Sequence, residues 1–538
     1  MLTRKYGVVY TPDALADFVA ELLYRNTDIS EPYTILDPAS GECSLLSAAK
    51  EYFGDRADYF GIDIDAEAVK NTKDDFSVLH NDTIMPIHVK RKTASYWKDK
   101  LPPINAIIAN PPWSTEKIYD RAALTEAGFR LVNGQYDSYV LFIELAYELL
   151  IPGGVMAFII PDSLFDAQNE ALRRFLSSRM QINVIARLGE KIFEEVNRAA
   201  TVIICTKKTP DETTLTHCFR LSTPMRKSFL SGSEKLMSFF ETASHTVYQS
   251  RFSKNDACNF DVDTHSEEEA LIQKIVSSSE SLSQKFMFGR GVEISKSGKI
   301  VYCPVCNNAQ GYKKAQMQSG TKRCSSCGAT IPVNANAAVN VIRQVQEPGA
   351  VKIHVGEHVH RYSLSGEQYI MPNIEGIDYK DPALYTPPKL LVRKTGLGIY
   401  CALDNSGVLT TQTIYILKYL NADEKTPLEY YLALINSRVI YYYYLKVYGE
   451  NEWKSHPYLT KQIIFSLPIR PFSGSKLDKE IVQKAAVLMK QYDYSEDLLL
   501  EQLIMEKYEL TAAERQMVAA EMERLPDLSA VNNMRMGI

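Results

Sequence analysis

Residues 33–65 read YTILDPASGECSLLSAAKEYFGDRADYFGIDID. A short apolar strand, Thr34–Leu36, stops at Asp37-Pro38-Ala39-Ser40-Gly41-Glu42-Cys43; a helix is expected near Leu45–Tyr52, and a second strand, Tyr59–Ile62, runs into Asp63-Ile64-Asp65. Small residues in the first loop let the backbone approach a ligand closely. The alternation continues outward, with strands expected at Ala106–Ala109, Val155–Ile160, Ile182–Arg187 and Thr201–Thr206 and helices at Tyr139–Leu150 and around Ala171–Ser177. Strands alternating with helices of this length predict an α/β fold, a parallel, doubly wound Rossmann-like sheet whose site lies at the carboxyl ends of its strands.

Four motifs fall at such ends. Asp37 follows the first strand, and Asp63, closing the second, is an acid that could accept both hydroxyls of a ribose. Asn81-Asp82-Thr83 is placed to follow a third. The fourth is Ile107-Ile-Ala-Asn110-Pro111-Pro112-Trp113. Its prolines fix φ and remove two backbone donors, which leaves carbonyls free beside the Asn110 amide, and Trp113 offers a π-face to a planar heterocycle. An exocyclic amino group held by such acceptors is a target for an electrophile. Taken singly, Asp37 reads as a helix N-cap, Asp63 as a turn residue and Asn110 as the start of an Asn-Pro turn; four such ends in register do not. With no Gly-x-Gly-x-x-Gly and no Gly-Lys-Ser/Thr, a dinucleotide or triphosphate is the weaker ligand.

A chain of 538 residues has room for several domains, and 45% hydrophobic with 23% charged residues describes an ordinary globular protein. No apolar run approaches the roughly 20 residues of a membrane span, and Met1–Tyr6 lacks a signal-peptide core, so a cytoplasmic protein is expected. The net charge of −5 hides a local field: residues 286–346 carry eight Lys or Arg against the single acid Glu293, a net of +7. Within that stretch Cys303-Pro-Val-Cys306, seventeen residues, and Cys324-Ser-Ser-Cys327 give two Cys-x-x-Cys knuckles, the spacing of a structural Zn²⁺ ribbon. Four thiolates and one Zn²⁺ add −2, so the segment stays near +5 and can position a phosphate backbone.

These residues resemble the gamma-class amino-group DNA methyltransferases, adenine-N6 enzymes with a C-terminal target-recognition region like that of type II restriction-modification methylases. Gly7-Val-Val-Tyr10-Thr11-Pro12 is similar to the family's N-terminal cofactor segment and Asp37–Gly41 to its Asp-Pro-Ala-x-Gly loop. The resemblance implies S-adenosylmethionine as cofactor, held by Tyr10, Thr11, Asp37, Ala39, Gly41, Asp63, Ile64, Asp82, Thr83 and Asn110, with Asp63 on the ribose and Ile64 and Asp82 at the adenine. It makes Asn110, Pro111, Pro112 and Trp113 the catalytic motif and pairs Trp113 with Phe193 as a base-stacking sandwich around a flipped base. One departure is Cys43, where the family loop often has a further glycine.

Further along, Gly289–Gly298, Lys389–Thr395, Thr410–Leu417, Leu432–Ser437 and Tyr441–Tyr444 resemble successive parts of the recognition region, with the ribbon as an insertion. The expected DNA contacts are Arg290, Lys296, Lys313, Lys314, Lys322, Arg323, Arg393 and Lys394. The tyrosine run reads as a helix facing the core rather than a stacking platform. The expected division is a methyltransferase domain at 1–210, a connecting segment at 211–285, a mixed α+β recognition domain at 286–475 with the ribbon at 301–330, and a helical segment at 476–538. The expected partners are double-stranded DNA and a cognate restriction endonuclease or defence-system subunits. Alternatives are a cytosine N4, RNA or glutamine-amide methyltransferase, or a non-catalytic zinc-dependent DNA-binding subunit.

Overall fold

The computed structural model describes residues 11–29, 33–70, 72, 75–86, 91–113, 119–132, 137–193, 198–294, 298–421, 423–449 and 458–537. The chain divides into two compact units, Met1–Glu269 with Lys446–Ser455, and Ala270–Leu445 with His456–Ile538.

In the first unit the described residues form a nine-stranded sheet from β1 (Tyr33–Asp37), β2 (Ala57–Asp63), β3 (Ser77–His80), β4 (Ile104–Ala109), β5 (Leu150–Pro161), β6 (Gln181–Gly189), β7 (Ala200–Thr206), β8 (Leu215–Arg220) and β9 (His245–Tyr248), in the order β3-β2-β1-β4-β5-β7-β6-β8-β9. Its central strands are buried on both faces, which is why they read as unbroken apolar runs. Ile35, Ile108 and Ala157 enter one core with helices α1 (Asp13–Arg25) and α2 (Ser44–Phe53). Their neighbours Leu36, Ile107 and Phe158 enter the other core, with α3 (Tyr139–Leu149) and α4 (Glu170–Arg179). The strands β3, β2, β1, β4 and β5 are parallel neighbours, so the loops at Asp37, Asp63, Asn81 and Asn110 emerge from one edge.

Two expectations change. The sheet is mixed rather than parallel, because β7 lies antiparallel between β5 and β6; the link from Gly189 to Ala200 is too short for the crossover helix that a parallel pairing needs. The methyltransferase-like unit also does not end at 210. β8 pairs with β6 and β9 with β8, so residues expected to be a connecting segment extend the sheet, and residues 446–449 belong to this unit although they fall inside the expected recognition domain.

The second unit contains an antiparallel sheet of Phe286–Arg290, Ile414–Tyr419, Lys389–Arg393 and Cys401–Asp404. Helices Leu428–Ile435, Lys476–Lys490, Tyr494–Lys507 and Ala512–Glu523 belong to the same unit. Asp497 ties it together, accepting from Arg361 Nη1 and Nη2 at 2.8 and 2.9 Å and from Arg438 Nη2 at 2.9 Å, all buried. Tyr441–Tyr444 are buried in helix Arg438–Tyr448, in keeping with a core-facing run. Among the described residues no helix is long and apolar enough to cross a membrane.

Candidate active site

The loops after β1 to β4 enclose a cavity of about 450 Å³. Thr11, Asp37, Ala39, Gly41, Asp63, Ile64, Asp82, Thr83 and Asn110, among the residues expected to hold the cofactor, all line it. Tyr10 lies outside the described residues. Of the acids that line this space, Asp37, Asp63 and Asp82 are held, among the described residues, by amides or hydroxyls rather than by a cation. Asp37 Oδ1 accepts the Ala39 N–H at 2.9 Å. Asp63 accepts from Gly41 N at 2.6 Å and from Asp65 N at 2.8 Å. Asp82 Oδ1 accepts from Ile84 N and Met85 N at 2.9 and 3.0 Å. Burial pushes the Asp37 carboxyl up to about 8, the Ala39 N–H only partly opposing it, and also raises Asp82. A carboxylate has about four lone-pair sites, so each acid can still accept a ligand donor.

Loop geometry explains the small residues. A Cβ on Gly61 would stand 2.8 Å from Ser40 Oγ and 3.0 Å from Val78, so the contact between the first loop and β2 requires glycine. Cys43 is held at φ 63°, the left-handed region, where a side chain costs roughly 1–2 kcal/mol. The family's glycine at this position thus has a backbone reason, and this chain carries a buried thiol there instead.

The Asn110 loop closes the cavity. Asn110 Nδ2 donates to Thr11 Oγ1 at 3.0 Å, which orients the amide, and Pro112 also lines the space. The Pro112 carbonyl accepts from Ser138 Oγ and the Trp113 carbonyl from Arg198 Nη1 at 2.8 Å. No described residue donates to the Pro111 carbonyl. Trp113 and Phe193 do meet, but edge to face, with centroids 5.2 Å apart and planes at 88°, both buried. A base sandwiched between two rings needs parallel faces about 7 Å apart, twice a van der Waals separation, so the expected slot is not formed in this conformation. Tyr119 was not foreseen: its hydroxyl donates to both Asp82 oxygens at 3.0 and 2.9 Å, from a loop position with no sequence signal.

In the second unit the sulfurs of Cys303, Cys306, Cys324 and Cys327 lie within 4.8 Å of one another, with Cys303–Cys327 and Cys306–Cys324 at 3.6 Å. Tetrahedral Zn²⁺ with Zn–S of about 2.3 Å would space sulfurs about 3.8 Å apart, so this donor set fits the ion. Backbone N–H groups of Cys306 and Cys327 hold the Cys303 and Cys324 thiols below their ordinary range, whereas desolvation and the neighbouring cysteines push Cys306 and Cys327 up. Of the expected DNA contacts, Arg290, Lys313 and Arg323 are exposed. Lys322 donates to the Gly311 carbonyl at 2.7 Å. Arg393 is turned onto the Thr395 carbonyl at 2.6 Å, and half-buried Lys394 is lowered by desolvation and by Arg290. Lys296 and the Lys314 side chain lie outside the described residues.

Residues 2–270 match the family described as N-6 DNA Methylase, and residues 351–469 match the TaqI-like C-terminal specificity domain. The four-cysteine segment falls between the two matched segments. A curated relative, the uncharacterized protein YtxK of Bacillus subtilis (strain 168), is 26% identical over 191 residues, 34% of this chain and 54% of that protein. Among solved structures, a nuclease-deletion mutant of the Type ISP restriction-modification enzyme LlaGI with a DNA substrate mimic aligns over 92% of this chain and 56% of that one, at 13% identity and a TM-score of 0.51, a likeness of fold. A type I restriction-modification methyltransferase subunit from Streptococcus thermophilus aligns over 47% of this chain and 58% of that one, at 16% identity and a TM-score of 0.36. The chain thus spans little more than half the length of these proteins.

Proposed function

The chain belongs to the N-6 DNA methylase family, and from that premise we propose that it transfers a methyl group from S-adenosylmethionine to adenine N6 of a base flipped out of duplex DNA, within a restriction-modification or defence system. The observation that carries this reading is the single cavity in which Asp37, Asp63 and Asp82, none paired with a cation among the described residues, meet Asn110. These donors fit the cofactor: Asp37 for an ammonium, Asp63 for ribose hydroxyls, Asp82 and Ile64 for an adenine edge and face. When bound, S-adenosylmethionine supplies a methyl group made electrophilic by its sulfonium.

The chain's own residues do the rest by positioning. An adenine amino nitrogen is a poor nucleophile because its lone pair is delocalised into the ring. Accepting its two N–H groups at the Asn110 amide oxygen and the Pro111 carbonyl draws that lone pair out of the ring, and the same acceptors stabilise positive charge as it develops. Flipping costs a few kcal/mol of lost stacking; Trp113 and Phe193 would offset it once one ring rotates to open parallel faces. The four cysteines hold a structural Zn²⁺, and the ribbon's exposed cations contact phosphates. A cognate endonuclease or defence subunit would read the modification.

The test is methyl transfer from tritiated S-adenosylmethionine to unmodified duplex DNA, followed by modification-sensitive long-read sequencing. N6-methyladenine confined to one sequence is expected. N4-methylcytosine, or label entering only RNA or protein, overturns the substrate; no transfer to any of them overturns the enzyme reading in favour of a DNA-binding subunit.

A further inference from the structure

A loop with two prolines lacks two of the N–H groups that could anchor it. Pro111 and Pro112 bring no N–H, and two carbonyls of the loop are held instead, one directly by a residue at the start of α3 and one by an arginine that its neighbour holds. Ser138 donates its hydroxyl to the Pro112 carbonyl. Its neighbour Asp137, fully buried, accepts from Arg198 Nη2 at 3.0 Å, and Arg198 Nη1 reaches the Trp113 carbonyl at 2.8 Å. Ser163, just beyond the end of β5, donates to the same Asp137 oxygen. The indole is tied as well, its Nε1 donating to the Ile159 carbonyl at 3.4 Å. Arg198 is one-third exposed, so its place in the fold does not rest on core packing.

We propose that Arg198, aimed by Asp137 and Ser163, is a positioning residue that fixes the carboxyl end of the Asn110–Trp113 loop and thereby the two acceptors for the substrate amino group. The inference rests on the methyltransferase reading above. Arg198 lies 85 residues from Trp113 and Asp137 lies 61 from Arg198, so the three meet only in the fold. A bidentate guanidinium suits the task because its two parallel donors take a carbonyl and a carboxylate in one plane, which a lysine cannot do. A shift of about 1 Å in a reacting group can cost about a hundredfold in rate, so a residue that touches no substrate can control turnover.

The experiment compares the full-length protein with Arg198→Ala, Arg198→Lys, Asp137→Asn and the Arg198→Ala/Asp137→Asn double variant. Three quantities are read: kcat for methyl transfer to unmodified genomic DNA, Kd for S-adenosylmethionine, and acrylamide quenching of tryptophan emission with Trp113→Phe versions as controls. The expected result is a kcat loss of tenfold or more for each single substitution with Kd within about twofold. The double variant should be no worse than the poorer single one, since both act through one chain of bonds. Quenching should rise in the Arg198→Ala protein and fail to rise when Trp113 is absent. Unchanged kcat and quenching in Arg198→Ala, or losses that multiply in the double variant, overturn the inference. If the unsubstituted protein transfers no methyl group, the methyltransferase reading fails instead, and quenching alone then decides whether Arg198 fixes Trp113.

Discussion

Buried and half-buried acids are used in opposite ways at the cavity of the first unit and in the interior of the second; away from its cavity the first unit too pairs buried acids, Asp162 with Arg187 and Asp261 with Arg251. At the cavity, Asp37, Asp63 and Asp82 are held, among the described residues, by amide and hydroxyl donors. In the second unit, Asp497 is matched to Arg361 and Arg438, and Asp404 to Lys389. A buried charge is costly unless compensated. Acids already compensated by arginine are architecture, whereas acids left with amide donors alone stand where a ligand would bring the missing donors or charge. The contrast separates binding groups from structural ones without reference to any relative.

The largest effect that tests this division is at the amide among those acids. Asn110→Ala is expected to lower methyl transfer by about 10³-fold, the scale of losing one preorganised polar group at a reacting atom. S-adenosylmethionine binding should stay within a few-fold, read by calorimetry. Near-normal transfer would remove Asn110 from the chemistry and leave the cavity a binding site only.

The next effect tests the acids themselves. Asp497→Asn breaks a buried, doubly paired carboxylate and should cost about 3–5 kcal/mol of stability, while cofactor affinity in the first unit is retained. Asp37→Asn should act in reverse. Its carboxyl, pushed up to about 8 by burial, holds its proton more tightly folded than unfolded. The ionised form therefore opposes folding increasingly as pH climbs from about 4, the unfolded value, to about 8, and no further above that. At pH 8 the Asp37→Asn protein without cofactor is expected to melt higher than the parent, with the gain vanishing by pH 4, and to lose cofactor binding. Calorimetric melts at the two pH values check both signs; equal losses from the two substitutions would erase the distinction between cavity acids and ion-paired ones.

How far these features could be read in advance follows the range of the interactions that build them. The strands at Tyr33–Asp37 and Ile104–Ala109 are fully or nearly fully buried runs ending in a loop signal, so local pattern suffices. The Cys-x-x-Cys knuckles are equally local. By contrast β8, Leu-Thr-His-Cys-Phe-Arg, alternates exposed and buried positions with polar residues on the covered side, and nothing within it signals a sheet. The antiparallel β7 was misread because apolar content does not encode direction; the length of its link to β6 does. Tyr119 on Asp82 and Arg198 on Trp113 are pairings across 37 and 85 residues, visible only once the fold brings them together.

The smallest effects belong to the basic side of the comparison, where cations stand without acids. Lys313 and Arg323 are exposed on the ribbon, and neither forms a salt bridge among the described residues. If they meet phosphates, Lys313→Ala and Arg323→Ala should each weaken binding to every duplex alike by a few-fold and reduce the slope of log K against log salt by about 0.9. The methylated sequence should not change, because phosphate contacts position without reading bases. Lys394 provides the internal control. It is half-buried, its ammonium stands 5.7 Å from the Tyr415 ring centroid, and its charge is disfavoured by desolvation and by Arg290. A lysine held in this way has less counterion to release, so Lys394→Ala should leave the salt slope unmoved while still altering affinity or target choice through the sheet of the second unit. Filter binding across a salt series separates the two cases. A slope change at Lys394 equal to that at Lys313 would mean that exposure does not sort phosphate contacts from structural cations, and the ribbon would lose its claim to be the part of the second unit that meets the backbone.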